Sequence, residues 1–142
     1  SLATIAGAVE EAGAVVHFVG PRIGLFASAD GAKVEADRSM ENSPAVLFDA
    51  LVLPDGAAAV EALGLDGHTM EFLKDQYRHC KTILALGASR RLLEMAGIPV
   101  GKSDKAGVMV VEAGKAAGAA TRFLDAVAAH RHFERDSEPP EV

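Results

Sequence analysis

The sequence predicts an α/β domain of three layers: a doubly wound, mostly parallel sheet with helices on both faces and a small β-hairpin insertion. Three observations carry this. Short apolar runs alternate with longer segments whose apolar residues recur at helical spacing. The runs are nearly continuous in Val, Leu, Ile and Ala and are closed by Gly or Pro, as befits strands covered on both faces. The length of 142 residues suits one domain. Strands alternating with helices imply right-handed crossovers and hence parallel neighbours.

In chain order, Leu2–Ala12 reads as a helix, with Leu2, Ile5, Ala6 and Val9 on one face and Gly13 placed to end it. Ala14–Val19 is an apolar, β-branched run closed by Gly20-Pro21 and is expected as a strand buried on both faces. Leu25–Ala27 and Lys33–Glu35 flank Asp30-Gly31, a hairpin pattern in which glycine supplies the positive φ. Ser39–Pro44 is expected as a polar loop. Leu47–Leu53 reads as a second buried strand, ended by Pro54-Asp55-Gly56. Two helices follow, Ala57–Leu63 and about His68–His79, the latter with Met70, Leu73 and Tyr77 on one face. Lys81–Leu86 is the third strand, turned by Gly87-Ala88 into the helix Ser89–Met95. Val108–Val111 is the fourth strand. Ala116–Phe133 is the last helix, with Phe123, Leu124 and Val127 inward. Asp136–Val142, with two prolines and three acids, reads as a polar tail, leaving residues 1–135 as the domain.

The chain opens on an amphipathic helix, whereas a doubly wound fold usually opens on a central strand. The first strand is therefore expected upstream of Ser1, in a longer parent protein.

Composition excludes several classes. Fourteen basic against 20 acidic residues give a net charge of −6, which disfavours nucleic acid and polybasic membrane binding. No apolar stretch approaches the ~20 residues of a membrane span. A single cysteine, Cys80, precludes an intramolecular disulfide and fits a reducing, cytoplasmic setting.

Candidate chemistry is sparse. In such folds a nucleophile is best held at the sharp turn after a strand, beside a helix N-terminus. Here that turn is Ala85-Leu86-Gly87-Ala88-Ser89-Arg90-Arg91, so Leu86 or Gly87 takes the nucleophile position and neither can attack. Ser89 is expected to cap the following helix. Cys80 lies at the other end of the strand, and the adjacent His79 points away from it. His17, His68, His79, His130 and His132 show no converging zinc spacing; His130, Arg131, His132, Glu134 and Arg135 read as a polar helix end that complements the dipole. Pro54-Asp55-Gly56 precedes a helix, but Asp55 repels anions and no phosphate-binding glycine motif is present. Glu61, Glu71, Asp75 and Glu94 read as solvated helix faces. The expectation is no catalytic, cofactor-binding or metal-binding residue in this chain.

Three segments carry a resemblance. Pro44-Ala45-Val46-Leu47-Phe48-Asp49-Ala50-Leu51-Val52-Leu53-Pro54-Asp55-Gly56 resembles the S-V-L-F-D-A-V-x-x-P-G-G segment of large-subunit haem catalases. Phe72-Leu73-Lys74-Asp75-Gln76-Tyr77-Arg78-His79-Cys80-Lys81 is similar to their F-x-x-x-A-F-K-H-C-K helix. Phe123-Leu124-Asp125-Ala126-Val127-Ala128-Ala129-His130-Arg131-His132-Phe133-Glu134-Arg135 is similar to their last helix. The resemblance runs from about Leu2 to Arg135 and is to the C-terminal domain of those catalases, which has the flavodoxin-like fold of class I glutamine amidotransferases and DJ-1/PfpI proteins. Asp55 departs from it, standing where many relatives have glycine.

The resemblance implies a non-catalytic C-terminal domain whose parent disproportionates hydrogen peroxide with haem under oxidative stress. Haem, its tyrosine ligand and the catalytic histidine and asparagine then lie in a β-barrel core outside this chain. The implied partners are that core and the other subunits of a homo-oligomer, with roles in stability, subunit packing or core access. A chaperone-like activity toward unfolded clients is also implied. The DJ-1-like relatives use an elbow cysteine, a glutamate after the first strand and sometimes a histidine; none carries over, since the elbow offers Leu86, the first strand is missing and no histidine directly follows Val108–Val111. Competing readings are a stand-alone DJ-1/PfpI-type hydrolase, glyoxalase or chaperone, and a self-associating interaction module.

Overall fold

A computed structural model describes residues 2–20, 24–27, 33–100, 107–112 and 114–128. The parts of the sequence reading that concern the Asp30-Gly31 turn, residues 129–133 of the last helix and the 136–142 tail lie outside them.

The central element is a parallel three-stranded sheet, Ala50–Leu53 (β5), Thr82–Leu86 (β6) and Val108–Val111 (β7), with β6 in the middle. All five residues of β6 are buried, as its continuous apolar run requires. Side chains alternate across this sheet and divide the interior into two clusters. Leu53, Ile83, Ala85 and Val108 meet Val60 of Ala57–Gly64 (α2), Leu73 and Tyr77 of Gly67–Arg78 (α3), and Leu92 and Leu93 of Arg90–Met95 (α4). On the opposite face Leu84, Leu86, Met109 and Val111 meet Ile5 of Leu2–Glu11 (α1) and Ala116, Ala119, Ala120 and Phe123 of Ala116–Ala128 (α5). The three layers are therefore as the alternation of strands and helices predicts.

The helices follow their apolar faces. In α1, Ile5 is buried and Ala8 and Val9 pack beside it, while Glu10 and Glu11 are exposed. Gly13, at φ 87°, takes the left-handed turn that ends the helix. In α3, Leu73 and Tyr77 are buried and Met70 is half-buried. Asp66 caps α3, its carboxylate accepting from the His68 N–H at 2.9 Å. In α5, Phe123 is buried, and Leu124 and Val127 are half-buried.

Two further pairs of strands lie outside that sheet. Gly24–Ala27 (β2) and Lys33–Ala36 (β3) form the expected antiparallel hairpin, Gly24 opposite Ala36. Val19–Gly20 (β1) pairs in parallel with Arg38–Ser39 (β4).

Three expectations are corrected. Ala14–Val19 is not a strand buried on both faces: its ladder is confined to Val19–Gly20, and Val15 is 79 % exposed. Its described partner is the two-residue β4 rather than a strand of the central sheet, so it lacks cover. The second strand does not begin at Leu47. Ala45–Leu47 is a 3₁₀ turn, and the strand runs only over Ala50–Leu53. Here side chains of α3 and the residue before β6 claim the carbonyls of Ala45, Val46 and Phe48, which a ladder would otherwise use. Finally, Ser39 belongs to β4, and Ser39 and Ser43 are buried, so the segment after the hairpin is less loop-like than its polarity suggests.

Candidate functional site

The strand-to-helix elbow after β6 is where this architecture would hold a nucleophile. Leu86 is extended, at φ −97° and ψ 126°, and is 1 % exposed. Gly87 then takes φ 54°, the left-handed conformation that makes the turn sharp. Of the two residues the sequence leaves open, Gly87 thus occupies the elbow position, and it has no side chain.

Ser89 is not the cap of α4. It is itself helical, at φ −70° and ψ −8°, and makes no side-chain capping bond. Its hydroxyl lies 2.8 Å from the Leu86 carbonyl and 3.4 Å from that of Leu53, to which it donates. Fully buried, it ties the elbow to the end of β5. A residue already inside the helical turn is poorly placed to reach the free N–H groups ahead, and the carbonyls beneath it are the nearer partners.

Cys80 sits at the opposite end of β6. The Cys80 N–H donates to Tyr77 and the Lys81 N–H to Gln76, the pair of bonds that closes a helix through a left-handed residue. Cys80 is that residue, at φ 59°, and is 3 % exposed. Its sulfur lies 3.8 Å from the Arg78 carbonyl, while His79 is exposed. The thiol is thus buried at the C-terminal end of a helix, where the dipole disfavours a thiolate.

Next to it lies a polar cluster of a different kind. Gln76 Nε2 donates to the Ala45 carbonyl at 2.6 Å and to that of Phe48 at 3.3 Å. Lys81 Nζ donates to the Val46 carbonyl at 2.8 Å and to that of Phe48. Both side chains are buried, so α3 and the start of β6 hold the 3₁₀ turn rigidly, with Val46 and Leu47 facing outward at 53 % and 68 % exposure. The cluster clamps the turn to α3 and to the residue before β6.

His17 and Asp37 are brought together across β1 and β4. Asp37 Oδ2 accepts from His17 Nδ1 at 2.9 Å and Oδ1 from the Phe18 N–H at 3.1 Å. The His17 bond, more than any other contact, holds the Asp37 carboxyl below its ordinary value. The His17 ring meets Phe48 edge-on at 6.0 Å. Sequence reading missed this pair, because Asp37 lies 20 residues away in a polar stretch. Of the other histidines, His68 lies 4.0 Å from Glu71 on the exposed face of α3, and His130 and His132 fall outside the described residues. Among the described residues no group of three or more His, Cys, Asp or Glu could hold a metal ion.

The acids read as solvated faces are so: Asp75 pairs with Arg78 at 3.6 Å and Glu94 with Arg90 at 3.1 Å, and Glu61 is exposed. Gly56 enters α2 at φ 106° with no side-chain cap, and Asp55 beside it is half-buried. A cavity of about 60 Å³ opens between β1, β5 and α3. That is far below the ~300 Å³ at which small-molecule sites begin. The only tyrosine, Tyr77, is 2 % exposed in the core. Neither this cavity nor Tyr77 fits a haem.

The comparisons with known proteins bear on the fold and on the family. Among solved structures, the chain is similar to a ThiJ/PfpI domain protein from Brachyspira murdochii, with a TM-score of 0.78 and 15 % identity over 88 % of this chain and 86 % of that one. It is likewise similar to Drosophila melanogaster DJ-1beta, with a TM-score of 0.74 and 19 % identity over 96 % of this chain and 86 % of that one. At these identities the likeness shows the fold alone. Among curated proteins, it is 34 % identical over 140 residues to catalase HPII of Mycobacterium avium, covering 92 % of this chain and 20 % of that protein. It is 37 % identical over 97 residues to catalase C of Rhizobium meliloti (strain 1021), covering 68 % of this chain and 14 % of that protein. The chain thus spans a fifth or less of the length of these two relatives. The family model for the C-terminal domain found in long catalases matches residues 1–137. The chain belongs to that family, the C-terminal domain of long catalases.

Proposed function

We propose that this chain is the non-catalytic C-terminal domain of a long catalase. The parent's reaction, haem-dependent disproportionation of hydrogen peroxide, takes place in a core outside residues 1–142. The domain comprises residues 1–135 with a polar tail at 136–142, and it contributes stability, subunit packing or access to the core within a cytoplasmic homo-oligomer. Family membership over residues 1–137 supports the parent reaction. The observation that carries the non-catalytic reading is the elbow: glycine stands at φ 54° where the fold would present a nucleophile. No helix among the described residues is long and apolar enough to cross a membrane, which accords with that setting.

The test is peroxide turnover and haem absorbance of the purified 142-residue chain beside the full-length protein. The expected result is turnover and a haem band in the full-length protein alone. Stoichiometric haem with rapid turnover in the short chain would overturn the reading, and activity on glyoxal or peptides would replace it with the DJ-1/PfpI-type enzyme.

A chaperone-like activity is a second reading, favoured by Val15, Val46, Leu47 and Leu65, large apolar residues that are all more than half exposed. It predicts that the chain suppresses client aggregation at near-equimolar ratio, and an effect no greater than that of albumin removes it.

A further inference from the structure

We propose that the 3₁₀ turn Ala45–Leu47 is a docking anchor, its exposed apolar tip seated against the remainder of the long catalase to which this domain is joined. The inference rests on that reading of the parent. It goes beyond it in naming the surface, the residues that make contact and the device that holds them ready.

The place of the turn sets it apart from the fold's own chemistry. It lies just ahead of β5, and Lys81, which holds it, lies just ahead of β6. Since β5 and β6 are parallel, the turn sits at the end of the sheet opposite the Gly87 elbow. Ligands of open α/β sheets bind at the carboxyl ends of the strands, which is the elbow's end. At the turn, Val46 and Leu47 are 53 % and 68 % exposed, and Pro44 beside them is exposed as well. Apolar residues exposed singly are ordinary, whereas a contiguous group marks a contact surface.

The turn is also held more firmly than an exposed loop needs. Water could satisfy its carbonyls. Instead those of Ala45, Val46 and Phe48 accept from Gln76 and Lys81, both buried. This opposes folding on two counts. An ammonium is taken out of water, and Gln76 Oε1, also buried, has no hydrogen-bond partner among the described residues. What results is a tip whose backbone is fixed in advance. Ordering a loop on contact subtracts from affinity, and a preformed tip avoids that loss.

The size of the tip points to its occupant. Two side chains at these exposures present on the order of 200 Å², against the roughly 800 Å² per partner of a stable free complex. Through this tip alone, a second copy or a free client is therefore held too weakly, and a net charge of −6 further opposes contact between copies. A covalently joined partner needs far less area, since tethering supplies an effective concentration that is roughly millimolar. The chain spans a fifth or less of the two catalases compared above, so the greater part of a long catalase is such a partner. Its matching surface is an apolar recess that takes Leu47 at the centre, with exposed Asn42 and Asp49 at the polar rim.

Hydroxyl-radical footprinting reads side-chain access without substitution, in the full-length protein and in the 142-residue chain. Leu84, 0 % exposed, is the folding control in both. The expected result is oxidation of Leu47 at least ~10-fold slower in the full-length protein, as at the water-excluded centre of an interface. Equal oxidation in the two overturns the proposal. Slow oxidation already in the 142-residue chain, with dimers in sedimentation, also overturns it, the occupant then being a second copy. A benzophenone photocrosslinker on Leu47→Cys identifies the occupant in the full-length protein alone, and so decides without the short chain. The substituted position is exposed, and the unsubstituted protein gives the background. Adducts outside residues 1–142 are expected, and adducts confined to residues 1–142 of any copy overturn the proposal. Peroxide turnover and haem absorbance are read on the same sample, so the catalase reading can fail while the footprint stands.

Discussion

Replacing Lys81 by methionine isolates the clamp on the 3₁₀ turn. Lys81 is 6 % exposed, and its ammonium donates to the carbonyls of Val46 and Phe48. Methionine keeps the length and most of the volume of the stem, so no large cavity is left. What disappears is the donor. Hydrogen bonds from a charged group contribute about 1.5–3 kcal/mol each. Against this, removing a buried ammonium recovers part of its desolvation cost, which is itself several kcal/mol. The Phe48 carbonyl keeps Gln76 Nε2 at 3.3 Å, and Val46 is exposed enough for water to reach its carbonyl in part. The net expectation is a loss of about 1–3 kcal/mol. In urea, with a slope of about 1–3 kcal/mol/M, that lowers the midpoint by roughly 1 M. Amide exchange adds a local readout: the Leu47 and Phe48 N–H groups, bonded to Pro44 and Ala45 at 3.0 and 3.1 Å, should exchange faster in the variant. An unchanged or raised urea midpoint, with those amides still protected, would refute the view that Lys81 holds the turn.

Three other expectations are independent of the clamp. Leu84→Ala, at a fully buried position of the central strand, should cost about 2–5 kcal/mol in urea unfolding, with the larger values if the cluster of Ile5 and Phe123 cannot close over the void. Gly64→Ala, at the last residue of α2, should stabilise by about 0.5 kcal/mol, because the new Cβ is tight only against the tip of half-exposed Met95 at 3.3 Å, which can swing aside, while Leu92 lies in ordinary contact at 3.7 Å; a lowered midpoint would show that Met95 cannot move. Asp37→Asn should lower stability at neutral pH by less than about 1 kcal/mol, the exposure of the pair being allowed for. Because the Asp37 carboxyl is held below its ordinary value of 3.8, its contribution is fully present above that pH and fades as the pH falls through the lowered value. Unfolding curves of the two proteins should therefore converge in acid, and a gap that persists there would refute the assignment to charge.

What the sequence made legible depended on local causes. Thr82–Leu86 and Val108–Val111 are apolar on both faces and sit in the middle and at one side of the sheet, so pattern and burial agree. Ala14–Val19 has the same pattern without the same cover, and composition cannot distinguish a strand with two long neighbours from one whose described partner is two residues long. Leu47 was misplaced because the bonds that make the turn come from Gln76 and Lys81, about 30 residues on. Ser89 was misread for a related reason, its partner Leu53 being 36 residues distant. The emptiness of the elbow needed no such information: no residue in Leu86-Gly87 bears a nucleophilic atom, whichever of them takes the turn.

The glycine at that elbow also has a thermodynamic side. An L-residue held in the left-handed region costs about 1–2 kcal/mol. A sharp turn that presents a reactive side chain must carry that strain permanently, since the strain is part of what exposes the group. Gly87 adopts φ 54° without it. The turn keeps its sharpness without that tension, which leaves a more relaxed junction between the central strand and the helix that follows.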